Sequence, residues 1–334
     1  MINVEGDHGK RVCSLSDDFK MVGNSPPMQK VFKFIHKVKN INAPVFISGE
    51  SGTGKELVAR NIHLIGDRRE ENFVALNCGA IPENLLESEL FGYTKGSFTG
   101  ALRDRRGLIE AADKGSLFLD EICDLSFMLQ SKLLRVLQEK ELRRIGENKS
   151  RHVDIKVISA TNKNIDKEVE KGRFREDLYY RLKIISVELP SLKDRGCDIL
   201  CLLEYFVQRF SRDMRLKKLS FSSKAVDFLL NYSWPGNVRE LKNEVLRCMV
   251  LCQESEVISE KDLSKKIVGD AEKTSPVSYD FFSARAEFEK KYLNQALARF
   301  NYNQTQTAEE IGISRQGLFK LIRKHQIDIP RKPF

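Results

Sequence analysis

Gly49-Glu50-Ser51-Gly52-Thr53-Gly54-Lys55-Glu56 follows the apolar run Pro44-Val45-Phe46-Ile47-Ser48 directly and opens the helix-forming segment Glu56-Leu57-Val58-Ala59-Arg60-Asn61-Ile62. Strand, glycine-rich turn and helix in that order make a phosphate cradle. The glycines let successive backbone N–H groups close around phosphate oxygens, the helix N-terminus adds the positive end of its dipole, and Lys55 reaches the outer phosphates. Glu56 stands where such loops ordinarily carry Ser or Thr, so a hydroxyl ligand for magnesium is missing. Alone, a GxxxxGK string arises by chance in roughly one chain in ten of this length, and a plain glycine-rich turn would read the same. A second motif narrows the choice. Leu117-Phe118-Leu119 is an apolar strand ending in Asp120 and Glu121. Asp120 can hold Mg2+, directly or through water, and Glu121 can polarise an attacking water. By itself such an acid pair is also how a solvated loop begins. The two motifs together predict an ATP site with Mg2+ as its metal.

Working outward, short apolar runs alternate with helix-period stretches from about Lys20 to Leu192, the pattern of a parallel sheet flanked by helices. Strands are expected at Val45 to Ser48, Phe73 to Asn77, Ser116 to Leu119, Ile155 to Ala160 and Ile184 to Leu189. Leu129, Leu133, Leu134 and Leu137 fall at helical spacing and predict an amphipathic helix between the third and fourth. Beyond Asp194 the strand runs stop. Leu202, Phe206 and Phe210, then Ala225, Phe228 and Leu229, mark a smaller all-helical lid. Gly269 to Ser278 has turn formers, charge and no apolar period, so it reads as a linker to a separate C-terminal module. The divisions are a tail at 1–20, an α/β part at 21–193, a helical lid at 194–268, a linker at 269–280 and an all-α module at 281–334.

Composition sets the outer limits. The 334 residues are about twice a typical domain, and 41% hydrophobic with 31% charged residues describes a globular chain with material for a core. No apolar run approaches the ~18 residues of a spanning helix, and the first twenty residues carry charges instead of an apolar signal core. The expectation is a cytoplasmic protein with no membrane partner. Fifty-six Lys and Arg against 47 Asp and Glu leave a net charge of +9, which permits a polyanionic partner without proving one. The seven cysteines are odd in number and scattered, which argues for reduced thiols. Cys197 with Cys201, and Cys248 with Cys252, have a spacing that can seat a metal, but no histidine lies near them; buried small apolar residues are the plainer reading.

These motifs resemble the central AAA+ ATPase of the sigma-54-dependent transcription activators, whose phosphate loop reads GKE, so that Glu56 is at home. The resemblance runs from about Met21 to Lys266, with a second patch from about Asn303 to Ile327. It implies the AAA+ P-loop ATPase fold with a helical lid and a C-terminal helix-turn-helix domain. Its most diagnostic stretch is Glu89-Leu90-Phe91-Gly92-Tyr93-Thr94-Lys95-Gly96-Ser97-Phe98-Thr99-Gly100-Ala101. In the family this loop reads GAFTGA and contacts sigma-54; here Ser97 replaces Ala, and Tyr93 and Thr94 replace His and Glu. An aromatic at the tip of a loop bounded by Gly96 and Gly100 suits an element that moves and grips a partner. From the residues alone, a hairpin with Phe98 tucked in is the plainer reading. The resemblance also implies that Asn77 restrains the catalytic glutamate, a strand-end cap being the alternative, and that Thr161 and Asn162 form the first sensor. Arg175 and Arg181 match the arginine-finger segment, serving a neighbouring subunit's nucleotide, with surface pairing to Glu176 and Asp177 as the alternative; Arg239 in Trp234-Pro235-Gly236-Asn237-Val238-Arg239 matches the second sensor, with a purely structural role as the alternative.

The C-terminal module reads as helix, tight turn and helix: Thr305 to Glu310, Ile311-Gly312-Ile313, then Ser314 to His325 with Ser314 as N-cap. Leu318, Leu321 and Ile322 are expected to face the core, and Arg315, Gln316, Lys320, Arg323 and Lys324 to face DNA. A basic helical hairpin packed on the lid is the alternative. The helix before it, Phe288 to Phe300, carries Tyr292, Leu293, Ala296, Leu297 and Phe300 on one stripe, which resembles the dimerising Fis-type module. Thr307 and Gly317 depart from that family, and a glycine inside a helix costs about 1 kcal/mol. The implied function is ATP-driven remodelling of sigma-54 RNA polymerase holoenzyme from enhancer DNA, by dimers assembling into a hexameric or heptameric ring. A DNA-binding regulator with a vestigial ATPase would lack the acids or the loop; other AAA+ remodelling machines lack the insertion. Fewer than twenty-five residues precede the ATPase, so the expectation is either regulation by a separate regulatory protein or a truncated or naturally short activator.

Overall fold

The computed structural model describes residues 12–13, 19–273, 293, 296–297, 300 and 302–325. Two compact units divide at Val268 and Gly269.

In the first unit, five runs rich in apolar residues pair into one parallel sheet: β1 (Val45–Ser48), β2 (Phe73–Asn77), β3 (Ser116–Asp120), β4 (Lys156–Thr161) and β5 (Ile185–Glu188). Their spatial order is β5-β1-β4-β3-β2, with every neighbouring pair parallel. A parallel sheet needs both faces covered, so its central strands are buried almost from end to end, with a few buried polar residues such as Lys156, Ser159 and Thr161 among the apolar ones. The pleat sends Val45 and Ile47 to one face and Phe46 to the other. On the first face they join Ile35 of α1 (Pro26–Val38) and Val58 and Ile62 of α2 (Lys55–Leu64). On the other, Phe46, Leu117 and Leu119 meet Leu86 and Leu90 of α3 (Glu83–Phe91), Leu129 and Leu133 of α4 (Phe127–Glu139) and Leu178 of α5 (Glu176–Leu182). Register brings the strand ends level, with Ser48 beside Thr161 and Asn77 beside Asp120. Loops leaving those ends therefore converge on one crevice.

The lid is built from α6 (Asp198–Asp213), α7 (Ser223–Asn231) and α8 (Asn237–Leu251). Leu202, Phe206 and Phe210 of α6 pack with Ala225 and Leu229 of α7 and with Leu241 and Val245 of α8. Trp234 is fully enclosed, its indole Nε1 donating to Leu229 O at 2.8 Å.

Two boundaries differ from expectation. The helix α9 (Lys265–Lys273) continues five residues into the stretch read as a linker. Buried Ile267 anchors its start, and Gly-Asp-Ala-Glu-Lys contains no proline to stop it; 274–280 lie outside the described residues. Within the expected tail, Val12–Cys13 pairs antiparallel with Met21–Val22. Cys197 is exposed, against its reading as a buried apolar residue, whereas Cys78, Cys123 and Cys248 are buried. Burial pushes the Cys248 thiol up to about 12.

The second unit carries α10 (Gln304–Glu310) and α11 (Arg315–Lys324). Ser314 caps α11, accepting from Gly317 N at 3.1 Å. Leu293, Leu297, Ala308, Leu318 and Ile322 form its core, with Leu321 half-buried against them. The expected helix from Phe288 to Phe300 falls largely outside the described residues, Tyr292 included.

Candidate functional site

The loop between β1 and α2 is shaped by its glycines. Gly49, Gly52 and Gly54 all have positive φ, and Gly54 at +107° is the N-cap from which α2 starts. At Gly52 the requirement is twofold, because a Cβ there would also lie 2.3 Å from the Gly236 carbonyl of the lid. Lys55, buried, turns back across the loop and donates to Gly49 O at 3.0 Å. Thr53 Oγ1 donates to Glu50 O at 2.8 Å. The loop's conformation is thus fixed before any ligand arrives, which removes an ordering cost from binding.

Across the crevice, Glu121 at the end of β3 has φ +51°, left-handed for a non-glycine residue. Its Oε1 lies 3.6 Å from Lys55 Nζ, and its Oε2 accepts from Asn162 N at 3.0 Å. Glu121 N donates to Asp120 Oδ1 at 3.0 Å. Burial first, and then the adjacent Glu121 charge, raise the Asp120 pKa above the ordinary carboxylate range, while Lys55 pulls it back. A carboxylate in that position gains most from a nearby cation.

The lid closes one side. Arg239 donates from Nη1 to Ser51 Oγ at 3.0 Å and from its backbone N to Gly52 O at 3.3 Å. Asn237, fully buried with φ +51°, donates from Nδ2 to Glu50 Oε2 at 2.9 Å and to Ser51 O at 3.1 Å. Its Oδ1 accepts from Leu192 N at 2.7 Å. Arg195, also buried, donates from Nη2 to Thr53 O at 3.1 Å, and burial lowers its pKa. Sequence reasoning passed over Asn237 and Arg195. Asn237 sat inside the quoted Trp-Pro-Gly-Asn stretch, but nothing in that stretch says its amide crosses to a loop 187 positions away. Ser51 to Glu56, Asn77, Asp120, Glu121, Arg195 and Arg239 all line one cleft of about 490 Å³.

Other expected residues lie differently. Asn77 lines the cleft, but its Oδ1 accepts from Gly79 N at 2.9 Å, which serves its own strand end; Glu121 is held by Asn162 N instead. Asn162 meets Glu121 through its backbone, and Thr161 is buried within β4. Glu56 pairs with Arg60 at 2.7 Å one turn along α2. Neither Arg175 nor Arg181 lines the cleft. Arg175 binds the Asp177 carboxylate through Nε and Nη2 at 3.0 and 2.7 Å and Ser131 Oγ through Nη1. Arg181 donates to Leu137 O at 3.0 Å.

The loop from Gly96 to Ala101 hangs from a short hairpin pairing Gly92–Tyr93 with Arg105–Arg106. Gly96 N donates to Ala101 O at 2.9 Å and Ala101 N to Phe98 O at 3.1 Å; Gly96 and Gly100 have positive φ with open space around them. Ser97 is half-buried, Thr99 exposed and Ala101 buried. Phe98 is 46% exposed, its ring edge-on to Tyr93 at 4.9 Å. The tucked-in hairpin reading fails on that exposure. In the second unit Arg315, Gln316, Lys320, Arg323 and Lys324 are all exposed on α11.

Against known proteins, the family model described as the sigma-54 interaction domain matches residues 21–188. An AAA+ ATPase lid domain matches 193–279, and a bacterial regulatory protein domain of the Fis family matches 284–325. The chain is 45% identical over 300 residues to the transcriptional regulatory protein ZraR of Klebsiella oxytoca, covering 90% of this chain and 68% of that protein. It is 42% identical over 315 residues to the response regulator protein PilR of Pseudomonas aeruginosa, covering 93% and 71%. Among solved structures it is similar to NtrX from Brucella abortus in complex with ATP, with a TM-score of 0.69 and 34% identity over 92% of this chain and 69% of that one.

Proposed function

This chain belongs to the family of sigma-54-dependent transcription activators, with an AAA+ ATPase and a Fis-type domain, and on that premise we propose how its residues divide the work. The loop from Gly49 to Glu56 holds the ATP phosphates through its N–H groups, with Lys55 and Arg239 supplying positive charge at the same cleft. Asp120 is the residue that would hold magnesium, whose positive charge would offset the negative charge of the phosphates. The donor set fits such a cation: a half-buried carboxylate beside a second acid, its charged form disfavoured by burial. Glu121 orients and deprotonates the attacking water, and the Asn162 N–H keeps its carboxylate on station. The observation carrying this reading is that Lys55, the Asp120-Glu121 pair and Arg239, from three separate segments, line one cleft.

Hydrolysis is then coupled to movement of the Phe98 loop against sigma-54. Incubated with sigma-54 holoenzyme, a sigma-54 promoter and ATP, the full chain is expected to open the promoter. Opening that proceeds equally with a non-hydrolysable analogue would overturn the coupling.

Arg175 and Arg181 serve the cleft of a second copy, since their own chain's cleft excludes both. The protein therefore works as an oligomeric ring, and its specific ATPase activity rises with concentration. Arg181→Ala subunits are expected to be inactive alone and to recover part of the activity when mixed with equally inactive Lys55→Ala subunits. Mixed rings shown to form, yet silent, would place the finger elsewhere.

The exposed basic face of α11 reads enhancer DNA. Arg315→Ala and Lys320→Ala should each weaken binding to a specific duplex by about 1 to 3 kcal/mol, with hydrolysis by the full chain unchanged. Binding should also fall steeply with salt as phosphate contacts release counterions. Unchanged affinity in both variants, measured by fluorescence anisotropy, would take DNA off this face.

A further inference from the structure

One side chain on the basic face of α11 does not match its neighbours. Phe319 is 56% exposed, although Leu318 beside it is completely buried and the small core of this unit has taken up Leu293, Leu297, Ala308, Leu318 and Ile322. The helix advances about 100° per residue, so Phe319 lies about 40° from Arg315 on one side and about 40° from Arg323 on the other. Gln316 and Lys320 continue the same arc. All of these are exposed, and the sequence from Arg315 to Lys324 holds no acid. An aromatic ring thus stands in the middle of a cationic, hydrogen-bonding surface.

Single exposed apolar side chains are common on protein surfaces; what sets this one apart is the charge around it, which decides what surface it suits. The buried centres of protein–protein interfaces are depleted in charged residues and in lysine especially, whereas this ring is framed by Arg315, Lys320 and Arg323. A polyanion is the complementary surface. Within the major groove, the base edges offer donors, acceptors and one apolar group, the C5-methyl of thymine. Arg and Gln on this arc have hydrogen-bonding partners on base edges; the phenyl ring has only the methyl.

We infer that Phe319 is a specificity-determining residue that packs against a thymine C5-methyl group when α11 lies in the major groove. The inference rests on the DNA-binding reading of this helix and adds to it a chemical preference at a single base position. Phe319 contributes no hydrogen bond and no phosphate contact, so its effect is confined to sequences that present a methyl at that place.

The test uses the full chain and double-stranded DNA selected by it from a random pool. The selected duplex is remade with each thymine in turn replaced by deoxyuridine, which removes one methyl and leaves charge and base pairing unchanged. The parent protein should lose affinity about fourfold at one particular thymine of the recognised sequence, the size expected for taking one methyl out of an apolar contact, and little elsewhere. Phe319→Ala should bind the thymine and uracil duplexes equally, and Phe319→Leu should keep part of the preference. A parent protein indifferent to every uracil substitution overturns the inference while leaving DNA binding intact, and that measurement needs no variant to fold. So does a Phe319→Ala protein with the parent's full uracil penalty. Failure to select any duplex would instead remove the DNA-binding reading, and this inference with it.

Discussion

Glu121→Gln is expected to bind ATP about as well as the parent and to hydrolyse it about 10²- to 10⁴-fold more slowly, the range that a positioned general base contributes. The amide keeps the size of the side chain and its Oε acceptor, so the hydrogen bond from Asn162 N, 3.0 Å in the parent, survives. What it loses is the capacity to take a proton and the charge 3.6 Å from Lys55. Binding should therefore be kept: the loop's glycines and Lys55 do not depend on Glu121 for their fold, since Lys55 is also tethered to Gly49 O. Lys55→Ala should show the opposite split, with nucleotide affinity falling first. Single-turnover hydrolysis beside equilibrium titration of a fluorescent ATP analogue separates the two. Turnover in Glu121→Gln within a few-fold of the parent would remove Glu121 from the role of base and leave it as an anchor for Asn162.

The second large effect concerns Phe98. Truncating a core phenylalanine costs about 3 to 5 kcal/mol, but Phe98 is 46% exposed and its described ring contact is the edge-on packing with Tyr93. An aromatic pair of that kind contributes about 0.5 to 1.5 kcal/mol. Phe98→Ala should accordingly melt within a few degrees of the parent. The loop lies on a hairpin whose residues do not line the nucleotide cleft, so hydrolysis should stay within severalfold and DNA binding should not change. Promoter opening with sigma-54 holoenzyme should be lost, and Thr99→Ala, exposed at the same tip, should behave alike. A melting curve run beside an open-complex assay tests both halves. A strongly destabilised variant would return Phe98 to a packing role, and a stable variant with full promoter opening would take the loop out of the coupling.

Much of this architecture is legible in local sequence because its causes are local. Val45 to Ser48 and Phe73 to Asn77 form strands over the residues their apolar runs predicted; the third differs by one residue at its C-terminal end and the last two by one residue at each end. Both faces of a parallel sheet are covered, so its central strands are rich in apolar residues on both faces whatever lies beyond them. The phosphate loop is likewise written into Gly49, Gly52 and Gly54, since only glycine takes those backbone angles without strain. Ser314 announces α11 through its own side chain.

Where the structure departs from expectation, the cause is a contact that residue pattern does not register. Gly269 looks like the start of a linker, yet α9 runs past it because Ile267 is buried in the lid core. Asn77 stands at the expected strand end, but its amide oxygen accepts from Gly79 N two residues on and so caps its own strand. The sequence by itself determined the strands, the cradle for phosphate, the acids opposite it and the basic face of α11, each of which depends on the residue types within a few positions. Tertiary structure alone decided that Asn237 and Arg195 bind the phosphate loop and that Asn162 holds Glu121 through its backbone. It also decided that Arg175 and Arg181 lie outside their own cleft and that Phe98 and Phe319 are left in water. These facts concern pairs of residues distant along the chain, or how far a side chain is left exposed, and hydrophobic periodicity carries no information about either.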